Sequence, residues 1–94
     1  MIVKIISHRG DHNAVMGADI AEQVFDKLTG KREDALPVAL KTQVPDTWQE
    51  LDALWNPGKP TYGAFSKHGA DIKPVKTFDP QEDDLLFIAP VMGG

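Results

Sequence analysis

The residues of this sequence with the clearest chemical potential are its last two, Gly93 and Gly94, which follow Pro90, Val91 and Met92. Glycine has no β-carbon, so a Gly-Gly end allows close backbone approach and leaves its terminal carbonyl open to a nucleophile. A carboxylate is a poor electrophile, and chemistry at Gly94 therefore requires activation, as in an acyl-adenylate made with ATP by a partner enzyme. Attack by a sulfide, or by a persulfide whose S–S bond a thiol then cleaves, would leave a thiocarboxylate, whereas attack by a lysine amine would leave an isopeptide bond. Extended, the segment from Ala89 to Gly94 reaches at most about 20 Å, enough to thread a narrow channel while a folded body stays outside. Pro90 fixes one dihedral at the start of that segment and lowers the ordering cost of docking.

Other residue groups could do chemistry, but a plainer reading fits each. His8 and His12 stand four apart with Asp11 beside them, a spacing that on a helix would turn two imidazoles toward one metal ion. Here the segment reads as strand and turn, so solvated histidines and no metal site are expected, with His68 a turn residue. Arg9-Gly10-Asp11 spells an adhesion tripeptide, yet a hairpin turn uses the same residues. Glu82-Asp83-Asp84 fits a solvated strand entrance better than a pair of catalytic acids or a cation site. Trp48 and Trp55 are expected as core or interface anchors. The Ser, His and Asp residues show no spacing that suggests a triad. With no cysteine in the chain, there is no disulfide, thiolate metal site or cysteine nucleophile. The expectation is a protein that is not itself an enzyme and binds no cofactor, any ATP being used by a partner.

The elements that must position the Gly-Gly segment follow from the apolar pattern. A chain of 94 residues has room for one core, and its 41% hydrophobic and 26% charged residues are the balance of a folded domain rather than a disordered one. Met1 to Ile6 reads as a buried central strand, Ser7 to Asp11 as a turn, and His12 to Met16 as a returning strand. Asp19 is placed to cap a helix over 19–29, with Glu22 completing a capping box and Ile20, Val24 and Leu28 forming an apolar stripe that Gly30 ends. Leu36 to Leu40 holds Pro37 and suits a turn or an edge. Asp46 or Thr47 can cap a second short helix through Trp48, Leu51 and Trp55, stopped at Asn56-Pro57-Gly58. Thr61 to Phe65 and Ala70 to Ile72 form a hairpin candidate around Ser66 to Gly69, and Leu85 to Ala89 is a second buried strand.

This order predicts an α+β fold: a mixed sheet with its helix on one face, the first and last strands pairing in parallel at the centre. That is the β-grasp topology. The net charge of −4, without a basic stripe, gives no support for nucleic-acid binding and suits a basic protein partner instead. No apolar run approaches the roughly 20 residues that span a bilayer, and the start of the chain lacks signal-peptide features, so a cytoplasmic address with no membrane contact is expected.

The stretch Asp83 to Gly94 resembles the end of the small sulfur-carrier proteins, the molybdopterin synthase small subunit and the thiamine-biosynthesis sulfur carrier. In those families an acidic turn enters the last strand and a Pro-Val-x-Gly-Gly tail closes the chain; the matching residues here are Pro90, Val91, Met92, Gly93 and Gly94. The hairpin from Phe65 to Ile72 is more loosely similar to the middle hairpin of ubiquitin-like folds. Lys31 to Tyr62 has no counterpart in the resemblance, and Pro90-Val91-Met92 lacks the arginine of the ubiquitin tail. The resemblance implies a ubiquitin-like β-grasp domain over 1–94, a mixed four- to five-stranded sheet on one main helix plus a second short helix, with 89–94 a flexible tail. It implies a sulfur carrier, adenylated at Gly94 by an activating enzyme and delivering sulfur to an acceptor enzyme. Gly93, Met92, Val91 and Pro90 would dock the tail, and Phe87 and Phe65 would supply apolar contact. A protein modifier conjugated through Gly94, or a non-covalent β-grasp module such as a phage tail-assembly component, fits the same residues.

Overall fold

A computed structural model of the chain describes residues 1–57 and 61–90. Strand β1 (Ile2–Ser7) and strand β2 (Gly10–Val15) form an antiparallel hairpin closed by His8 and Arg9, with Gly10 at φ +102°. The strand predicted from His12 thus starts earlier, because Gly10 takes the left-handed turn position and frees Asp11 to pair with Ile6.

Helix α1 spans Ala18–Leu28 rather than 19–29. Its N-cap is Gly17 and no side chain caps it, so the capping box built on Asp19 does not form. Asp19 lies inside the first turn, where its charge complements the helix dipole but its backbone is already helical. The other end follows expectation: Gly30 takes φ +84°. Thr29 Oγ1 donates to the Phe25 carbonyl at 2.7 Å.

Beyond α1 the chain makes 3-10 helices over Val38–Thr42 and Asp46–Glu50, each preceded by a proline, Pro37 and Pro45, at φ −57° and −58°. A single turn, α2, follows at Asp52–Trp55. The expected second helix is therefore divided at Leu51, whose backbone is extended (φ −88°, ψ 97°), and the cap expected from Asp46 or Thr47 is absent. Trp48, Leu51 and Leu54 are all buried in the core.

Strands β3 (Gly63–His68), β4 (Asp71–Pro74) and β5 (Asp84–Ile88) complete a five-stranded mixed sheet in the order β2-β1-β5-β3-β4. The strand expected from Thr61 begins two residues later, because the Tyr62 amide donates to the Leu28 carbonyl at 2.6 Å and holds that segment against the helix end. The parallel pairing of β1 with β5 at the centre agrees with the two apolar runs.

One face of the sheet meets α1. Val3 and Ile5, Leu85 and Phe87, and Ala64 and Ser66 are buried there, and Ile20, Ala21, Val24, Phe25 and Leu28 pack onto the same core. Leu36, Leu40, Val44, Trp48, Leu51 and Leu54 extend this one cluster, so the segment without a counterpart in the resemblance is a wall of the core. The Lys27 ammonium, on a buried side chain, donates to the Glu33 and Asn56 carbonyls at 3.3 and 3.4 Å and ties α1 to this wall. Among the described residues no helix is long and apolar enough to cross a membrane.

Candidate functional site: the open sheet face and the end of β5

Strand alternation puts every second residue of the sheet on the side away from α1. Across that side run Val15, Ile2 and Ile6, Leu86 and Ile88, Phe65 and Ile72, joined by Lys4, Lys67, Asp84 and Asp11. Ile2 is 47% exposed, Ile72 51% and Val15 81%, so this face is apolar and uncovered. Strand β1 lies inside the sheet between β2 and β5 as expected, but only Val3 and Ile5 are fully buried, while Ile2 and Ile6 belong to the open surface. A depression of about 260 Å³ lies in it, lined by Ile2, Ile6, Ile72 and Leu86 together with Lys4 and Lys67. Lys4 pairs with Asp11 at 3.5 Å, an exposed contact of small energetic weight.

The sequence-predicted site residues divide. Phe65 is half-buried on the open face, and the space above Gly63 is taken by its ring, so that a β-carbon on Gly63 would sit 3.1 Å from Phe65 Cε2. Phe87 lies on the other face, fully enclosed and edge-on to Phe25 at 6.0 Å between ring centroids. Its expected role as a partner contact is corrected, because strand parity turns its ring toward α1 and leaves it no surface. The residues that share the open face with Phe65 are Leu86 and Ile88, one position to either side of Phe87. They were hidden in the sequence because Leu85 to Ile88 is apolar throughout, and composition alone does not give parity.

The strand that carries the predicted tail occupies the sheet centre. The Ala89 amide donates to the Ile6 carbonyl at 2.9 Å, after which Pro90 is exposed. Val91, Met92, Gly93 and Gly94 lie outside the described residues, and so does the expected flexibility of 89–94 over those positions.

The other candidates are engaged in the fold. Arg9 pairs with Glu50 at 3.5 Å, and Asp11 with Lys4, so both charges of the Arg-Gly-Asp tripeptide have partners. His68 Nε2 lies 3.0 Å from Glu82, joining the β3-β4 hairpin to the approach of β5. His8 is exposed at the hairpin tip, while His12 is half-buried on the face opposite Asp11. Among the described residues no three His, Asp or Glu side chains gather as a metal site. Trp48 is wholly buried, and Trp55 packs under Lys41 with its ammonium 5.3 Å from the ring centroid. Tyr62 titrates above its ordinary value of 10.0: burial raises it most, the Arg9 charge opposes, and Asp52 adds to the rise.

Comparison with family models, curated proteins and solved structures finds no match for the chain.

Proposed function

We propose that this chain is a ubiquitin-like β-grasp sulfur carrier, working as co-substrate of an adenylating enzyme that activates the Gly94 carboxylate with ATP. Sulfide then displaces AMP and leaves a thiocarboxylate; a persulfide instead displaces AMP to give an acyl disulfide, from which a thiol of the partner releases the thiocarboxylate as it forms a disulfide with the donor sulfur. An acceptor enzyme consumes the thiocarboxylate in cofactor, amino-acid or tRNA biosynthesis. The chain contributes the handle and the docking body; the partner contributes the nucleotide and the catalysis. The observation that carries the reading is the course of β5, the central strand parallel to β1, whose last sheet bond at Ala89 is followed directly by Pro90 and the Val-Met-Gly-Gly sequence. A tail rooted in the middle of the sheet has a fixed starting point, which lowers the ordering cost of threading it into a closed site. The neighbouring open face, with Phe65, Ile88 and Ile6, offers the apolar area that a partner would cover.

The reading requires Gly94 to be the final residue, so the first measurement is the intact mass of the protein from its own source. The second is incubation with ATP, a sulfur donor and the adenylating enzyme. A mass gain equal to the difference between sulfur and oxygen is expected, and it disappears when Gly93 and Gly94 are deleted or when the chain is extended past Gly94. Adducts on target lysines that survive reducing denaturation would instead assign a protein modifier. The apolar open face serves a non-covalent assembly module equally well, and full activity of the extended chain would replace the carrier by that module.

A further inference from the structure

The two edges of the sheet are not equivalent. Met1 and Met16 exchange both of their backbone bonds, the Met16 amide donating to the Met1 carbonyl at 2.9 Å and the terminal amine of Met1 donating to the Met16 carbonyl at 3.1 Å. Antiparallel ladders alternate, so Ala14, His12 and Gly10 also turn their backbone groups toward β1. Asp11, Asn13 and Val15 must then turn their N–H and C=O groups outward, and among the described residues no backbone bond reaches them. The opposite edge is shorter and offers fewer donors by the same parity. The Val75 amide donates to the Ala64 carbonyl, which leaves Ile72 and Pro74 as the outward residues of β4, and proline has no N–H to offer. Strand β2 has six residues, contains no proline and keeps a regular register with β1, so three donors and three acceptors stand in a row.

We propose that the β2 edge pairs antiparallel with β2 of a second copy of this chain, about a two-fold axis at Asn13, joining two sheets into one. The edge is complementary to itself in that register. Asn13 faces Asn13 of the second copy, and an amide side chain is both donor and acceptor, so two can bond each other. Asp11 faces Val15 of the second copy, so no like charges stand opposite, and Lys4 already holds the Asp11 carboxylate. Every outward backbone group of the edge is used. An axis at His12 would set two imidazoles opposite each other, and an axis at Ala14 would leave Asp11 beyond the strand of the second copy. A contact made by one strand pair is small, so association in roughly the micromolar to millimolar range is expected.

The test is sedimentation equilibrium of the whole chain from about 10 μM to 1 mM, a span set by that expected affinity, combined with amide exchange. A dimer is expected, with the Asp11, Asn13 and Val15 amides slowing as concentration rises. Val15 is 81% exposed, so its replacement leaves the core intact. Val15→Glu sets a carboxylate against Asp11 of the second copy and Val15→Lys an ammonium. Each change acts twice by symmetry, so the dissociation constant should rise in the first variant and fall in the second, by roughly 2- to 30-fold. A monomer throughout the concentration range overturns the proposal, whatever other strand the edge may accept. So does a dimer in which the three amides are unchanged, or in which both variants move in the same direction.

Discussion

The division between Phe87 and Phe65 can be measured. Phe87→Ala removes a ring that is 0% exposed, lies between Ile5 and Ala64 in the sheet register and meets Phe25 edge-on. Transfer of the lost atoms plus the cavity left behind should cost about 3–5 kcal/mol. For a domain of this size each kcal/mol lowers the melting temperature by roughly 4–8 °C, so a fall of about 12–40 °C is expected. Phe65→Ala removes a half-exposed ring from the other face and should cost less than about 1.5 kcal/mol. Urea unfolding read by circular dichroism with linear extrapolation measures both. Under the proposed carrier function, folded Phe65→Ala protein is expected to show a raised KM toward the activating enzyme with kcat little changed, the pattern of lost docking area. Equal losses of stability in the two variants, or a Phe87→Ala cost below about 1.5 kcal/mol, would refute the assignment of the two rings to opposite faces.

Three further outcomes follow from individual contacts. Lys27→Met keeps the buried stem but removes the donor to the Glu33 and Asn56 carbonyls, and should lower unfolding free energy by about 1–3 kcal/mol in the same urea assay. Gly30→Ala puts a β-carbon at φ +84° and 2.5 Å from Thr61 Cγ2, so a loss of about 1–2 kcal/mol or more is expected. Adding Thr61→Ala should return the steric part and not the backbone part, which a double-mutant cycle separates. Tyr62 has a folded-state pKa above its unfolded value of 10.0, so its contribution is fully present below pH 10 and is lost as pH rises through the folded value. Unfolding free energy measured upward from pH 10 should therefore decline, and the Tyr62 share of that decline should vanish in Tyr62→Phe.

Much of this fold was legible because its determinants are local or compositional. The stripe Ile20, Val24, Leu28 could only be a helix face, and two apolar runs at the ends of the chain could only be satisfied at the centre of a sheet. What escaped was decided by tertiary parity and by proline. A run such as Leu85-Leu86-Phe87-Ile88 contains no polar residue to mark its outward side, so the face of each residue is set only when Asp84 falls opposite Ile2 and fixes the register. That choice sends Phe87 inward and exposes Ile2 and Ile88 on the side of the sheet away from α1. The helix expected through Trp48, Leu51 and Trp55 is divided for a different reason: Pro37 and Pro45 each start a tight 3-10 turn, and the backbone is extended at Leu51. The same parity that misled at Phe87 makes the β2 edge readable. Once Met1 and Met16 are bonded, the outward groups at Asp11, Asn13 and Val15 are determined, and a row of unpaired donors and acceptors on a regular strand demands a partner or a guard. Pro74 is such a guard at the far edge, and β2 contains no proline.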